Sequence, residues 1–574
     1  MARNEAGSRL TELRDRKAEG EGTESEVRGP RSKVRFSSPH PGLVFAGIFV
    51  GIFLLHWPLL QLPYFWDEAG YYVPAARDIL LTGSFIPHST PSNAHPPLVM
   101  AWVALWWKCF GYAPLVTRSA MLVIAAFSLL GVFRLAERVS STEVAIGATL
   151  CTALYPVFFA QSSLAQVDLA AAGLTFWALA AYLEERPVAT AAWFSLAVLA
   201  KETAILAPAA LLCWQLLQWM RPAVAKFGLP RRASFLRSAR VAHGTDECVR
   251  AYAVRLQVLT ALLSPFVVLG LWYAYHYTRT GYVFGNPEFF RYNVASTLSP
   301  LRFVLALATR IWQVFGYLML WLLTLGMLLA MLLPPRRDDD VERPRIGIPE
   351  QVVFLIVIAT YVVALAWIGG AVLARYMLTA VPLVIILAVS TLRRRLRCWP
   401  VAIAVVGLAF LLAWFWNPPY GFSPEDNLAY RDFIVLHEDA ERFVEARYPM
   451  ARVLTAWPAS GELRSPWLGY VTRPMRVVQV EDFTVDEVLS AAEIRSKFDV
   501  ALVFSTKYEP PHPLLDRWKE WTDIKARFFG FHRDLPPAAA AQILGGHIVF
   551  SEKKKGLWVA VIELERAEIL DAER

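Results

Sequence analysis

Long apolar runs separated by short polar stretches commit most of this chain to one solvent, the hydrocarbon core of a membrane. A helix needs roughly 20 apolar residues to cross a core about 30 Å thick, and in lipid its backbone polar groups must be paired within the segment. Scanning on that rule predicts eleven spans, near 43–63, 115–135, 144–161, 167–183, 188–200, 203–220, 256–276, 311–333, 351–370, 374–391 and 400–416. The stretch LVMAWVALWWKCFG, 98–111, is shorter and carries Lys108, so it reads as an interfacial helix. Composition agrees: 56% of the 574 residues are hydrophobic and 21 are Trp, outside the usual range of soluble globular chains.

Beyond residue 417 charges become frequent and apolar runs shorten. ARVLTAWP, MRVVQV, DVALVF and LWVAVIEL read as strands, and 425–447, 484–496 and 513–526 as helices between them. The expected fold class is therefore a polytopic α-helical membrane protein of about eleven transmembrane helices with a C-terminal soluble α/β domain. Three parts follow: a basic N-terminal arm (1–42), a transmembrane domain (43–416) with a polar loop at 64–98, and the α/β domain (417–574). The last part shows no glycine-rich phosphate loop, catalytic serine motif or metal-ligand spacing, and reads as a packing or acceptor-presenting unit.

Lys and Arg exceed Asp and Glu by eight, and basic residues cluster in the arm before Gly42, in loops 221–250 and 334–345, and in RRRLR at 393–397. By the positive-inside rule these mark the cytoplasmic side, which places loop 64–98 and the C-terminal domain outside. Basic residues distributed in this way orient a membrane protein and give no nucleic-acid footprint. The five cysteines are scattered without a CxxC pair, which argues against a disulfide framework or a zinc-thiolate site. The first apolar run lacks a small-x-small cleavage site and reads as an anchor.

On this topology, ionisable residues collect at the outer ends of spans. Asp67 and Glu68 open the loop YFWDEAGYYVPAARDILLTGSFIPHSTPSNAHPPL, 64–98, among Trp66, Tyr71 and Tyr72. Asp168 lies in QSSLAQVDLAAAG, Lys201 and Glu202 interrupt VLAKETAILAP, and Arg375 and Tyr376 lie in AVLARYMLTAVP. Charges at such positions are costly and are functional candidates by default. Taken singly, each has a structural alternative: Glu68 as a solvated loop residue, Asp168 as a helix N-cap, Arg375 as a snorkelling side chain, and Arg77 as a loop salt-bridge partner. Lys201 and Glu202 are adjacent, so on a helix they need separate partners, and an anionic group is expected near Lys201. A carboxylate base with Lys and Arg at a membrane surface suits transfer from a lipid-linked phosphate to a hydroxyl or amine. The rival reading is a multispan transporter or flippase of a lipid-linked or anionic substrate. Internal repeats and midplane polar residues are its usual signs.

WDEAGYYVPAARDILLTG followed by HPPL resembles the first outer loop of the glycosyltransferase-C superfamily. The branch is that of protein O-mannosyltransferases (dolichyl-phosphate-mannose-protein mannosyltransferase-like) and lipid A aminoarabinose transferases. The likeness continues through YPVFFAQSSLAQVDLAAAGLTFWALAAYL, LAVLAKETAILAP and ARYMLTAVP, over roughly residues 43–416. The resemblance implies a glycosyltransferase moving a sugar, with inversion, from a polyprenyl-phosphate donor to a lipid, glycan or protein acceptor. It implies Asp67 as catalytic base, with Glu68 completing the acidic pair and Asp168 as a second aspartate. Arg77, His95, Lys201, Glu202, Arg375 and Tyr376 form the expected substrate-binding set. One departure is His95 before Pro-Pro-Leu, where many members carry Lys; imidazole is the weaker phosphate anchor. Some members use a divalent ion, but no metal is assigned to this sequence. The expected location is a bacterial inner membrane, with the site facing the periplasm.

Overall fold

The computed structural model describes residues 40–220, 245–287, 299–338, 340–368, 370–508, 510–511 and 517–565. The N-terminal arm to residue 39 and the basic loop 221–244 lie outside the described residues. Residues 42–574 form one compact unit.

Helix occupies every segment in which a span is expected, but the helices differ in length. Among the described residues four are long and apolar enough to cross a membrane: Pro41–Leu59, Pro114–Val139, Arg255–Thr280 and Ile348–Trp367. Two bent pairs bring the number to six if each is one span. Thr142–Leu154 and Pro156–Ser163 meet at 69°, where Pro156 lacks the N–H that would continue the ladder. Pro300–Phe315 and Leu320–Met331 meet at 76°, around Leu318 and Met319, which both have positive φ. Segments 144–161 and 311–333, each read from sequence as one straight span, are thus broken. Apolar content does not reveal where a helix bends. The 98–111 stretch is a helix, Leu98–Phe110, whose Val99, Met100, Val103, Ala104 and Trp107 are buried.

Two of the basic clusters assigned to one side, 334–345 and 393–397, are neighbours. A two-residue hairpin, β1 (Arg337–Asp338) and β2 (Val341–Glu342), docks on the end of helix Val381–Arg395. Arg343 donates to the Arg393 carbonyl at 2.8 Å, the Arg336 N–H to the Arg394 carbonyl at 3.0 Å, and Arg394 pairs with Glu342 at 3.1 Å.

The C-terminal part is a five-stranded mixed sheet in the order β4-β3-β5-β7-β6. Its strands are β3 (Arg452–Ala456), β4 (Arg476–Val480), β5 (Val500–Phe504), β6 (Gly546–Lys554) and β7 (Leu557–Leu564). β3 is parallel to β4 and β5, whereas β7 is antiparallel to β5 and β6. VALVF of β5 is buried at every position, as expected of a central strand covered on both faces. The four apolar runs read as strands are strands. β6 went unpredicted because it is a charged edge strand, bulged between Ile548 and Phe550 and ending in Glu552, Lys553 and Lys554.

A buried ion pair joins the polar loop to the helices. Glu68 is fully buried, and its Oε1 accepts from Arg118 Nη1 at 2.5 Å and from the Ala165 N–H at 2.5 Å. Its Oε2 accepts from the Phe65 N–H at 2.8 Å. Arg118 also donates to the carbonyls of Pro63 at 2.7 Å and Ser163 at 2.9 Å. A pair this deep is retained because either partner alone would be an uncompensated buried charge. Arg118→Met should therefore cost about 3–5 kcal/mol of stability. The double variant Glu68→Gln/Arg118→Met should recover part of that loss, as read by thermal unfolding in detergent; a loss equal to the sum of the two single variants would show the pair uncoupled.

Candidate active site

The polar loop reaches its site through a strained turn. Trp66 adopts φ 42°, a left-handed conformation unfavourable for a bulky residue. Its ring is held in place by Trp457 (4.7 Å between centroids, edge-on) and Phe433 (5.7 Å). Asp67 follows at the head of a π-helical turn, Glu68–Tyr72, which runs on into helix Val73–Thr82. π-Turns are rare and tend to mark functional sites. Gly70 is required within it, since a Cβ there would lie 2.6 Å from Trp457 Cζ2.

Asp67 turns toward Arg375, and Arg375 organises the cluster. Its Nη2 is 2.5 Å from Asp67 Oδ2, and its Nε is 3.4 Å from Asp168 Oδ2. Its Nη1 donates to Gln166 Oε1 at 2.6 Å and pairs with Glu425. Gln166 Nε2 in turn donates to Glu425 Oε2 at 3.0 Å. Lys201 Nζ is 2.5 Å from Asp168 Oδ1 and 4.0 Å from the centroid of the Tyr376 ring. Asp168 is thus the anionic partner expected for Lys201. Five segments distant in sequence supply these groups: the loop, the 163–168 link, the end of helix Pro187–Ala200, the 3₁₀ turn Ala374–Met377 and the 3₁₀ turn Pro424–Asp426.

Exposure separates the members. The Asp67 side chain is 32% exposed, against 4% for Asp168, 4% for Glu425 and 3% for Arg375. Asp67 is therefore the carboxylate of this group that a reactant can reach. Three carboxylates face one guanidinium and one ammonium, so the cluster is close to balanced. Asp168 starts helix Asp168–Leu183, where its charge also complements the helix dipole, but its oxygens serve Lys201 and Arg375 and make no N-cap bond.

The remaining predicted residues occupy other places. Glu202 forms its own pair with His95, Oε2 to Nδ1 at 3.0 Å, and the His95 ring packs against those of Tyr71 and Tyr72 at 5.6 and 5.9 Å. Glu68 points inward to Arg118, away from solvent. Arg77 stacks over Trp467, 5.1 Å from its centroid. Tyr376 presents its ring to Lys201, to Arg310 at 5.4 Å and to Arg375 at 5.6 Å.

Sequence reading missed Glu425, Gln166, Arg310 and Gln313. Arg310 is fully buried and donates to the carbonyls of Leu373 at 2.6 Å and Ala371 at 3.4 Å, while Gln313 donates to that of Val372 at 2.8 Å. Together they fix the strand that delivers Arg375. An Arg three residues before a Gln inside an apolar helix was the available signal, since such charges rarely sit in membrane segments without a partner. Glu425 carried no signal, because it follows the last span in a stretch that reads as soluble.

Next to Glu425, Asp426 is buried and accepts from the Tyr317 hydroxyl at 2.6 Å. It borders a cavity of about 150 Å³ lined also by Trp312, Val372, Leu373 and Tyr420. Burial, reinforced by the neighbouring Glu425 charge, pushes the Asp426 carboxyl up to about 8. The folded chain then holds a proton that the unfolded chain releases near pH 4, so stability falls as pH rises from about 4 to about 8. Asp426→Asn should flatten that slope: in thermal unfolding, the variant loses less than wild type between pH 5 and pH 8.5.

No family model and no curated protein matches this chain. Solved structures do. ArnT from Cupriavidus metallidurans bound to undecaprenyl phosphate superposes with a TM-score of 0.52 at 14% identity, over 91% of this chain and 97% of that one. This chain shares the fold of that ArnT structure. The apo form of ArnT gives a TM-score of 0.49 at 14% identity over 91% and 98%. The Archaeoglobus fulgidus oligosaccharyltransferase in its apo form gives 0.46 at 13% identity over 92% and 75%. The expected combination of apolar helices with a C-terminal sheet is thus present, though not eleven full-length spans among the described residues, and the chain is an integral membrane protein.

Proposed function

We propose that this protein is a membrane glycosyltransferase that moves a sugar from a polyprenyl-phosphate donor to a lipid, glycan or protein acceptor, with inversion and with Asp67 as the base. The observation that carries the reading is the contrast within the cluster: one accessible carboxylate, Asp67, stands at the mouth of an otherwise buried group containing Arg375 and Lys201. The ArnT structure that shares this fold was crystallised with undecaprenyl phosphate, a lipid carrier of the class this chemistry requires.

In this reading the donor phosphate approaches Arg375 and Lys201, which stabilise the charge that grows on it as the glycosidic bond breaks. Phosphate taking over the guanidinium frees the Asp67 oxygens, which accept the proton of the attacking hydroxyl or amine. Asp168 and Glu425 keep the two cations in place, and the Tyr376 ring limits where they point. The Glu202–His95 pair fixes the Pro-Pro-Leu end of the loop beside Tyr72. Glu68 acts at one remove, anchoring the turn that carries Asp67. Three carboxylates around one point would suit a divalent ion, but here they converge on the Arg375 guanidinium, and no step is assigned to a metal there.

Purified protein in nanodiscs, given a panel of polyprenyl-phosphate sugars with mixed membrane acceptors, should show sugar transfer. Asp67→Asn should lower turnover about 10²–10⁴-fold while leaving donor binding within a few-fold of wild type. Unchanged turnover in the folded variant would move the base to another group. We further propose that residues 64–98 and 417–574 face the periplasm, the side that the positive-inside rule leaves to them. His88→Cys in a cysteine-free background should then react with a membrane-impermeant maleimide from outside intact spheroplasts; labelling only after lysis would reverse the orientation.

A further inference from the structure

A second group of ionisable side chains lies in the C-terminal part, apart from the Arg375 cluster. His437 and Glu441 stand one turn apart on helix Ala429–Arg447, and Glu462 reaches them from helix Ala459–Arg464. All three are buried, with exposures of 1%, 0% and 0%. His437 Nδ1 is 2.8 Å from Glu462 Oε2 and 3.8 Å from Glu441 Oε1, and one ligand atom from each residue lies within 4.8 Å of the others.

These groups are under-satisfied for their depth. Both Glu441 oxygens, Glu462 Oε1 and His437 Nε2 lack a hydrogen-bond partner among the described residues. Buried carboxyl groups are normally paired or hydrogen-bonded, because desolvating them uncompensated costs several kcal/mol each. Two carboxylates side by side with one imidazole need more positive charge than the imidazole supplies. The surrounding rings, Phe433 at 4.0 Å and Phe504 at 4.4 Å from the His437 centroid, provide no charge of that sign.

We propose that His437, Glu441 and Glu462 bind a divalent cation, with Zn²⁺ the best match. One imidazole and two carboxylates are borderline-hard ligands of the kind zinc accepts, and two negative charges balance the ion. Ligands about 2.0–2.2 Å from a tetrahedral ion are about 3.4 Å apart, so the three need shift by only about 1 Å to close on it. Three protein ligands leave a fourth position for water. The role is structural: the ion ties helix Ala429–Arg447 to helix Ala459–Arg464 directly behind the Asp67 turn. Phe433, stacked on His437, packs on Phe65 at 5.4 Å and on Trp66 at 5.7 Å. Because the proposal concerns metal content, it stands or falls independently of the transferase reading.

The test uses the full chain, purified without a polyhistidine tag, incubated with Zn²⁺, desalted and analysed for metal by mass spectrometry. About one zinc per chain is expected in wild type, with a higher melting temperature than the chelator-stripped protein. Glu441→Gln and Glu462→Gln, near-isosteric changes, should each lose the zinc and the melting-temperature difference. Wild type that retains no zinc after loading overturns the proposal even if the variants fail to fold, and so does retention by Glu441→Gln equal to wild type. Either result would make the group a proton-sharing carboxyl pair beside an imidazolium.

Discussion

The pairing of Arg375 with carboxylates from distant segments is the interaction on which the arrangement of the site depends. A buried guanidinium is costly unless its donors are matched, and here its neighbours are Asp67, Asp168, Gln166 and Glu425. Each comes from a segment that hydrophobic packing alone would leave free to slide. Meeting at one planar group fixes their relative positions to within hydrogen-bond tolerance. Arg310 and Gln313 extend that control backward by clamping the carbonyls of 371–373.

A second constraint acts on the loop side. The Glu68–Arg118 pair and the Trp66 strain are two ends of one device: buried hydrogen bonds at Phe65 and Ala165 hold a turn that the backbone would not adopt on its own. Trp457 and Phe433 enclose Trp66 from the C-terminal part. The α/β region is therefore part of the site's support, and through Glu425 it supplies one of the carboxylates as well. In the reading as a glycosyltransferase, this explains how a loop between two membrane helices can be rigid enough to place a base without belonging to a regular element over its whole length.

What could be read in the chain and what could not follows from the reach of each signal. Membrane residence, the helical segments, the strands β3, β4, β5 and β7 and the rarity of charges such as Asp67, Asp168, Lys201 and Arg375 at the ends of apolar runs were all visible. They depend on composition, on periodicity and on the rarity of charge in apolar runs, which are local properties. The breaks at Pro156 and around Leu318 and Met319, the charged edge strand β6, and the inward turn of Glu68 were not visible. Each depends on what packs against the segment. Glu425 and the His437–Glu441–Glu462 group lay in a stretch whose polarity looks like that of any soluble surface; only folding buries them.

The amino-acid sequence thus settled the apolar solvent and most of the element types, and singled out some of the residues that meet at Arg375, because hydrophobic length and backbone preference act over a few turns. Which of those residues meet, and which of them water can reach, was settled by long-range contacts. Asp67 and Glu68 are neighbours in the chain and both carry carboxyl groups, yet one opens to solvent against Arg375 and the other is sealed against Arg118. Pairing with partners 308 residues away for Asp67 and 50 for Glu68 separates them, and no local pattern encodes that choice.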